Sequence, residues 1–105
     1  MSPITIQSIN LANDQITVLF KQSWLQEDIT TLRQLLLNNI PNHYVKELII
    51  GADIENVRFQ WRDTEFILNF DCYSQSCWFD TQDLHKTEDT KVLFNLLSQH
   101  NKYYA

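Results

Sequence analysis

Two cysteines and a histidine are the residues of this chain best suited to chemistry. Four residues separate Cys72 from Cys77, and His85 follows eight positions later. A thiol beside an imidazole can act as a nucleophile with its base, so one hypothesis is a small thiol-dependent enzyme or ligand-binding domain that uses Cys72, Cys77 and His85. The spacing differs from the Cys-x-x-Cys of redox sites, and the sequence lacks the further ligands of a zinc site. The competing hypothesis is therefore two reduced, buried thiols, with no metal and no cofactor.

A second group of residues is suited to binding rather than to reaction. Tyr73 falls in a predicted turn, and Trp78 is out of phase with the apolar residues on either side of it. Aromatic side chains of this kind anchor many protein interfaces. Acids lie around them, because positions 63–89 contain seven carboxylates and one lysine. We name no catalytic residue, and the predicted binding residues are Tyr73, Trp78, Asp71, Asp80 and Asp83.

The acids have two other interpretations. Glu65, Asp71 and Asp80 fall on or near neighbouring predicted strands, where a close pair could do acid–base work. Alternatively, they are exposed and form cross-strand ion pairs with Arg58 and Arg62, or simply keep a small protein soluble. The sequence leaves these alternatives open.

Composition excludes several classes of function. The chain has 105 residues, 44% of them hydrophobic, which predicts a single domain over residues 1–105 with one core. A net charge of −5 argues against a nucleic-acid partner. The single glycine, Gly51, excludes phosphate-cradling loops of the Rossmann or P-loop kind. Without a long apolar segment or a signal peptide, we expect no membrane association and a cytoplasmic protein.

Local patterns predict the elements that would position these residues. Alternating apolar residues at 3–9 and 15–21 predict a hairpin around Asn10–Asp14. A helix is predicted from an N-cap at Ser23 to about Asn39, and Pro41 ends it. Because the segment 45–50 is apolar on both faces at its end, it predicts a doubly buried strand, joined to the second strand by a right-handed parallel crossover.

The segment Asn56–Asp80 reads as consecutive antiparallel strands with a turn at Arg62-Asp63. A second helix is predicted from Thr87 to about Gln99. The predicted fold class is α+β, a two-layer sandwich. It has a mixed, mainly antiparallel sheet of about six strands with two helices on one face, in the order β-β-α-β-β-β-α.

The segment CYSQSCWF at 72–79, with the chain length and the element order, resembles a small family of uncharacterised bacterial proteins. That resemblance implies no activity and no residue role. We therefore expect a non-enzymatic cytoplasmic protein that docks a protein partner through an acidic, aromatic sheet edge. An inhibitor or immunity protein facing a basic toxin or nuclease is one concrete form. The thiol-dependent function is the alternative, and the chain is expected to be a monomer or a homodimer that pairs through an edge strand or the open sheet face.

Overall fold

The computed structural model describes residues 4–82 and 87–104, and the side chains of the second range as far as residue 99. Two residues singled out in the sequence, Asp83 and His85, lie outside the described residues. A short 3-10 turn, Gln26–Asp28, precedes the first helix. The elements are β1 (Ile6–Ala12), β2 (Gln15–Phe20), α1 (Ile29–Leu37), β3 (Tyr44–Ile50), β4 (Ile54–Trp61), β5 (Thr64–Asp71), β6 (Ser76–Thr81) and α2 (Thr87–Tyr104).

The six strands form one sheet in the order β1-β2-β6-β5-β4-β3, and every neighbouring pair is antiparallel. The predicted α+β class with six strands and two helices is confirmed. The strands that the predicted crossover joins, β2 and β3, do run in the same direction, because four antiparallel pairings separate them, but three strands lie between them and they do not pair with each other. Tight turns make β3 to β6 pair in sequence order, so this meander fills the sheet between β2 and β3 and leaves β3 at the far edge.

Two predicted hairpins owe their geometry to two-residue turns of the type I′ kind. Asn13 and Asp14 have φ angles of 54° and 59°, and Arg62 and Asp63 have φ angles of 55° and 61°. Positive φ at both central residues matches the right-handed twist of the flanking strands. The turn of the first hairpin is narrower than predicted, since β1 extends to Ala12.

The core lies between one face of the sheet and the two helices. Residues alternate along β4 and β5 as predicted, and Phe59 is at the centre, with its ring 5.6 Å from that of Phe66 and 6.1 Å from that of Phe79. The helices contribute Leu32, Leu36 and Leu93 among other residues. The buried hydrophobic residues of the sheet are Ile16, Val18, Val57, Phe59, Trp61, Phe66, Leu68, Phe70, Cys77 and Phe79.

Each helix differs from its prediction at one end, α1 at its start and α2 at its end. The chain at Leu25 is still extended, so Ser23 is not the N-cap of α1. Instead the Asp28 carboxylate accepts a hydrogen bond from the Leu25 N–H over 2.8 Å. Because the extended backbone breaks the helical spacing, Trp24 enters the core and Leu25 is 59% exposed. At the other end, α2 continues past Gln99 to Tyr104.

Candidate functional site

The sheet has a helix-covered face and an open face, which carries the side chains that alternate with the core residues. Trp78 and Asp80 of β6 lie on the open face, and Asn69 of β5 is directly opposite Trp78. Asn56 of β4 is opposite Asn69 in turn. Three neighbouring strands therefore bring an indole, a carboxylate and two amides to one place.

Hydrogen bonds join these side chains into one network. Oδ2 of Asp80 accepts from Nε1 of Trp78 over 2.8 Å and from Nδ2 of Asn69 over 3.2 Å. Oδ1 of Asp80 accepts from Nε2 of Gln15 over 3.2 Å. Asn56 donates to Oδ1 of Asn69 over 2.6 Å. The sequence identified Trp78 and Asp80 but missed Gln15, Asn56 and Asn69, whose only signal is their phase on the strands.

Asp71 and Tyr73 lie further along the sheet. Oδ1 of Asp71 accepts hydrogen bonds from the backbone N–H groups of Tyr73 and Ser74, which fixes the start of the turn. Tyr73 is 90% exposed. Asp80 lies opposite Ile67 of β5, and Asp71 is four residues further along that strand. Four residues of a strand span about 13 Å. The structure thus joins Trp78 to Asp80 and separates Asp80 from Asp71, while Asp83 lies outside the described residues.

Several of the other carboxylates are engaged in ion pairs. Glu65 accepts from Lys46 over 3.2 Å, and Arg58 donates to Glu47 over 2.6 Å. Arg62 contacts Asp89 of α2 over 3.2 Å. Glu65 is thus ion-paired, but with Lys46 rather than with the predicted Arg58 or Arg62, whose partners are Glu47 and Asp89. The separation of Asp71 from Asp80 removes them as an acid–base pair.

The two thiols occupy different environments. Cys77 is fully buried and lies opposite Phe70 rather than opposite Cys72. Burial raises the pKa of the Cys77 thiol, which disfavours the nucleophilic thiolate. Cys72 is half-buried, its Sγ lies 3.8 Å from the carbonyl oxygen of Trp24, and both cysteines are free. The buried-thiol interpretation is confirmed for Cys77.

A family model described as "Protein of unknown function (DUF3630)" matches residues 6–100, from the first residue of β1 into α2. The chain belongs to the DUF3630 family. The resemblance to an uncharacterised family is thereby confirmed. No curated protein and no solved structure matches the chain.

The most unusual surface of this DUF3630 chain is strand β3. All seven of its residues are exposed, although the segment was predicted to be doubly buried. Within residues 4–82 and 87–104, β4 is the only strand that pairs with it. The prediction was wrong because an apolar strand at an edge has the same sequence pattern as one in the centre of a sheet. The apolar residues of β3 are 42–67% exposed and are Tyr44, Val45, Leu48, Ile49 and Ile50.

Neither a membrane-spanning helix nor a group of metal ligands is found in the described parts of this DUF3630 chain. In those parts, no helix combines the length and apolar composition that a membrane crossing requires. In the same ranges, no three His, Cys, Asp or Glu side chains are grouped as metal ligands would be. The remaining candidates are the open-face network and the edge of β3.

Proposed function

We propose that this DUF3630 chain is a non-enzymatic interaction protein that binds a protein partner along the outer edge of β3. The observation that carries the proposal is that five of the seven residues of β3 are apolar and all five are exposed, on both faces of the strand. Soluble proteins blunt their sheet edges because an unpaired apolar strand is a template for association. An edge that keeps five exposed apolar side chains is best explained by a partner that covers it.

The chemistry of such an edge fits strand addition. Backbone N–H and C=O groups on the outer side of β3 can pair with an added strand, which gives alignment, while side chains on both faces give specificity. Burying the exposed half of a Leu or Ile side chain contributes roughly 1 kcal/mol. Five such residues supply several kcal/mol, enough to offset part of the entropic cost of association.

The acidic, aromatic surface predicted from the sequence is the second candidate. Exposed Tyr73 and the carboxylates Asp71, Asp80 and Asp83 would suit a basic partner, as an inhibitor or immunity protein requires. We favour β3 because the Trp78 indole N–H and the Asp80 carboxylate already bond one another. A cytoplasmic, bacterial setting is part of the proposal, supported by the two free cysteines and by the family resemblance.

A photo-crosslinking experiment in cells distinguishes the two surfaces. The photoreactive amino acid p-benzoylphenylalanine replaces Tyr44, on β3, in one variant and Tyr73 in another. Both tyrosines are exposed aromatics, so each is the matched control of the other. We expect a protein adduct from position 44 and none from position 73. An adduct from position 73 alone would favour the acidic surface, and no adduct from either position would overturn the proposal.

A further inference from the structure

We propose that the partner of β3 is β3 of a second copy of this chain, which joins two six-stranded sheets into one continuous sheet of twelve strands. This inference rests on the proposed function and names the partner. It follows because β3 is complementary to a second β3 that runs antiparallel to it. The register of β3 with β4 shows which of its side chains share a face.

An irregularity in β3 determines which of its side chains share a face. Val45 is opposite Phe59 and Leu48 is opposite Val57, so Val45 and Leu48 both lie on the helix-covered face. Residues three positions apart in a regular strand point to opposite faces. The register shift between Val45 and Glu47, a β-bulge, supplies the extra residue that puts them on the same face.

The open face has the corresponding pair. Tyr44 is opposite Gln60 and Ile49 is opposite Asn56, and both of those β4 residues alternate with the core residues of that strand. Tyr44 and Ile49 therefore share the open face of the sheet. Two apolar pairs, one on each face, lie symmetrically about the midpoint between Lys46 and Glu47.

A two-fold axis through that midpoint gives a pairing in which four of the five apolar residues of β3 meet an apolar residue on the same face, while Ile50 would lie opposite His43. Val45 of one copy would lie opposite Leu48 of the other, and Tyr44 opposite Ile49. Without the bulge, a two-fold axis between two successive residues would bring side chains of opposite faces together. The bulge removes that conflict, so the irregularity that interrupts the β3–β4 ladder is what permits the symmetric pairing.

Charge selects the same register. The axis between Lys46 and Glu47 places each Lys46 opposite the Glu47 of the second copy. Centring the pair on Lys46 would place two lysines face to face, and centring it on Glu47 would place two glutamates face to face, both of which are unfavourable. The central charges thus favour a second copy in one register over an arbitrary apolar strand.

Helix α1 leaves room for this contact. Arg33 bonds Glu55 at the start of β4, and the carbonyl oxygen of Pro41 accepts from Nε1 of Trp61 at its end. The helix and the loop after it therefore run along β4 rather than over β3. Val45 and Leu48 of the two copies would form an apolar strip between the two α1 helices, and a two-fold pair uses both β3 edges and closes the assembly.

Sedimentation velocity of the full chain over a range of concentrations tests the inference. We expect the wild type to form a dimer of about 25 kDa, twice the 12.5 kDa of the chain. Lys46→Glu and Glu47→Lys should each weaken dimerisation at least about tenfold, because each brings like charges opposite one another in the homodimer. Lys21→Glu and Glu27→Lys, at exposed positions away from β3, make the same charge changes and should leave the dimer intact.

Mixing the two weakened variants gives the decisive result. A dimer of one Lys46→Glu chain with one Glu47→Lys chain again has opposite charges at both central pairs, so the mixture should dimerise more tightly than either variant does alone. Misfolded variants would not recover in this way. A wild type that stays monomeric, or a mixture that stays monomeric, would overturn the second copy as partner. If the wild type is monomeric but position 44 crosslinks a different protein in cells, the interaction function stands and only the second copy fails.

Discussion

The indole N–H of Trp78 donates to Oδ2 of Asp80 over 2.8 Å on the open face of the sheet, two residues apart on the same strand. Residues two apart on a strand share a face, so this contact needs no bend in β6. The same oxygen accepts from the buried amide of Asn69. Asp80 therefore links Trp78 to Asn69, and this network has a structural role whether or not it also binds a partner.

Asp80→Ala should lower the free energy of unfolding by about 1–3 kcal/mol, because the buried Asn69 amide and the Trp78 indole both lose their charged acceptor. Trp78→Phe removes the indole donor and keeps an aromatic ring, and should cost less than Asp80→Ala. Urea denaturation followed by circular dichroism measures both. An Asp80→Ala variant of unchanged stability would show that the network contributes nothing to the fold and would leave binding as the role of Asp80.

Arg33 and Glu55 tie α1 to the start of β4 with an N···O distance of 2.5 Å, and the Glu55 side chain is only 4% exposed. Arg33→Met should lower the free energy of unfolding by about 3 kcal/mol, since it leaves a buried carboxylate without its cation. The double variant Arg33→Met/Glu55→Leu should recover most of that loss, because no charge then remains buried. Chemical denaturation of the single and double variants checks both values. A double variant no more stable than Arg33→Met would contradict this account.

Cys77 should make the protein less stable in alkaline solution. Burial raises the pKa of its thiol in the folded state above the usual value of about 8.5, so only the unfolded chain ionises there. The free energy of unfolding keeps the full contribution of Cys77 while the pH is below the thiol pKa of the unfolded chain. Above that pKa it falls by about 1.4 kcal/mol per pH unit, because the unfolded state binds fewer protons than the folded state. Urea denaturation between pH 7 and pH 10.5 measures the slope.

The control for this slope is Cys77→Ala, which should be less stable at neutral pH but should lose less stability as the pH rises. All other residues are identical in the two proteins, so their contributions cancel in the comparison. Thiol labelling gives an independent check, since Cys77 should react with a disulfide reagent only after unfolding. Rapid labelling of two thiols in the native state would contradict the burial of Cys77.

The Gln75 side chain forms hydrogen bonds with both the backbone N–H and the backbone carbonyl oxygen of Trp24. Its Oε1 accepts from the Trp24 N–H over 2.9 Å, and its Nε2 donates to the carbonyl oxygens of Trp24 and Cys72 over 2.8 and 2.9 Å. Gln75→Ala should lower the free energy of unfolding by about 1–3 kcal/mol, because these part-buried groups lose their partners.

Gln75→Gly is the matched variant, because the φ angle of Gln75 is 56° and glycine adopts that conformation without strain. It loses the same hydrogen bonds but should be about 1 kcal/mol more stable than Gln75→Ala. Thermal and urea denaturation of the two variants measure the difference. If alanine and glycine were equally stable, backbone strain at this turn would be absent.

Much of the fold could be predicted from the sequence because its signals are local. The alternation from Val57 to Phe70 identifies two strands and their buried faces, and the turn residues Asn13, Asp14 and Asp63 mark the hairpins. Each of these signals depends on neighbours within a few residues. The candidate site was only partly predictable, because Gln15, which donates to Asp80, lies 65 positions away in the sequence, and Asn56 and Asn69 join the network only through the pairing of β4, β5 and β6.

The sequence by itself determined the α+β class, the elements and the composition of β3, since period and turn chemistry act along the chain. Only the tertiary structure decided where β3 lies. An apolar run such as Leu48, Ile49 and Ile50 fits both the centre of a sheet and an edge that a partner covers. The pattern indicates that these residues are suited to burial but does not indicate which element covers them. The pairing of β4, β5 and β6 between β2 and β3 leaves β3 at the edge, and that position makes it the candidate interface.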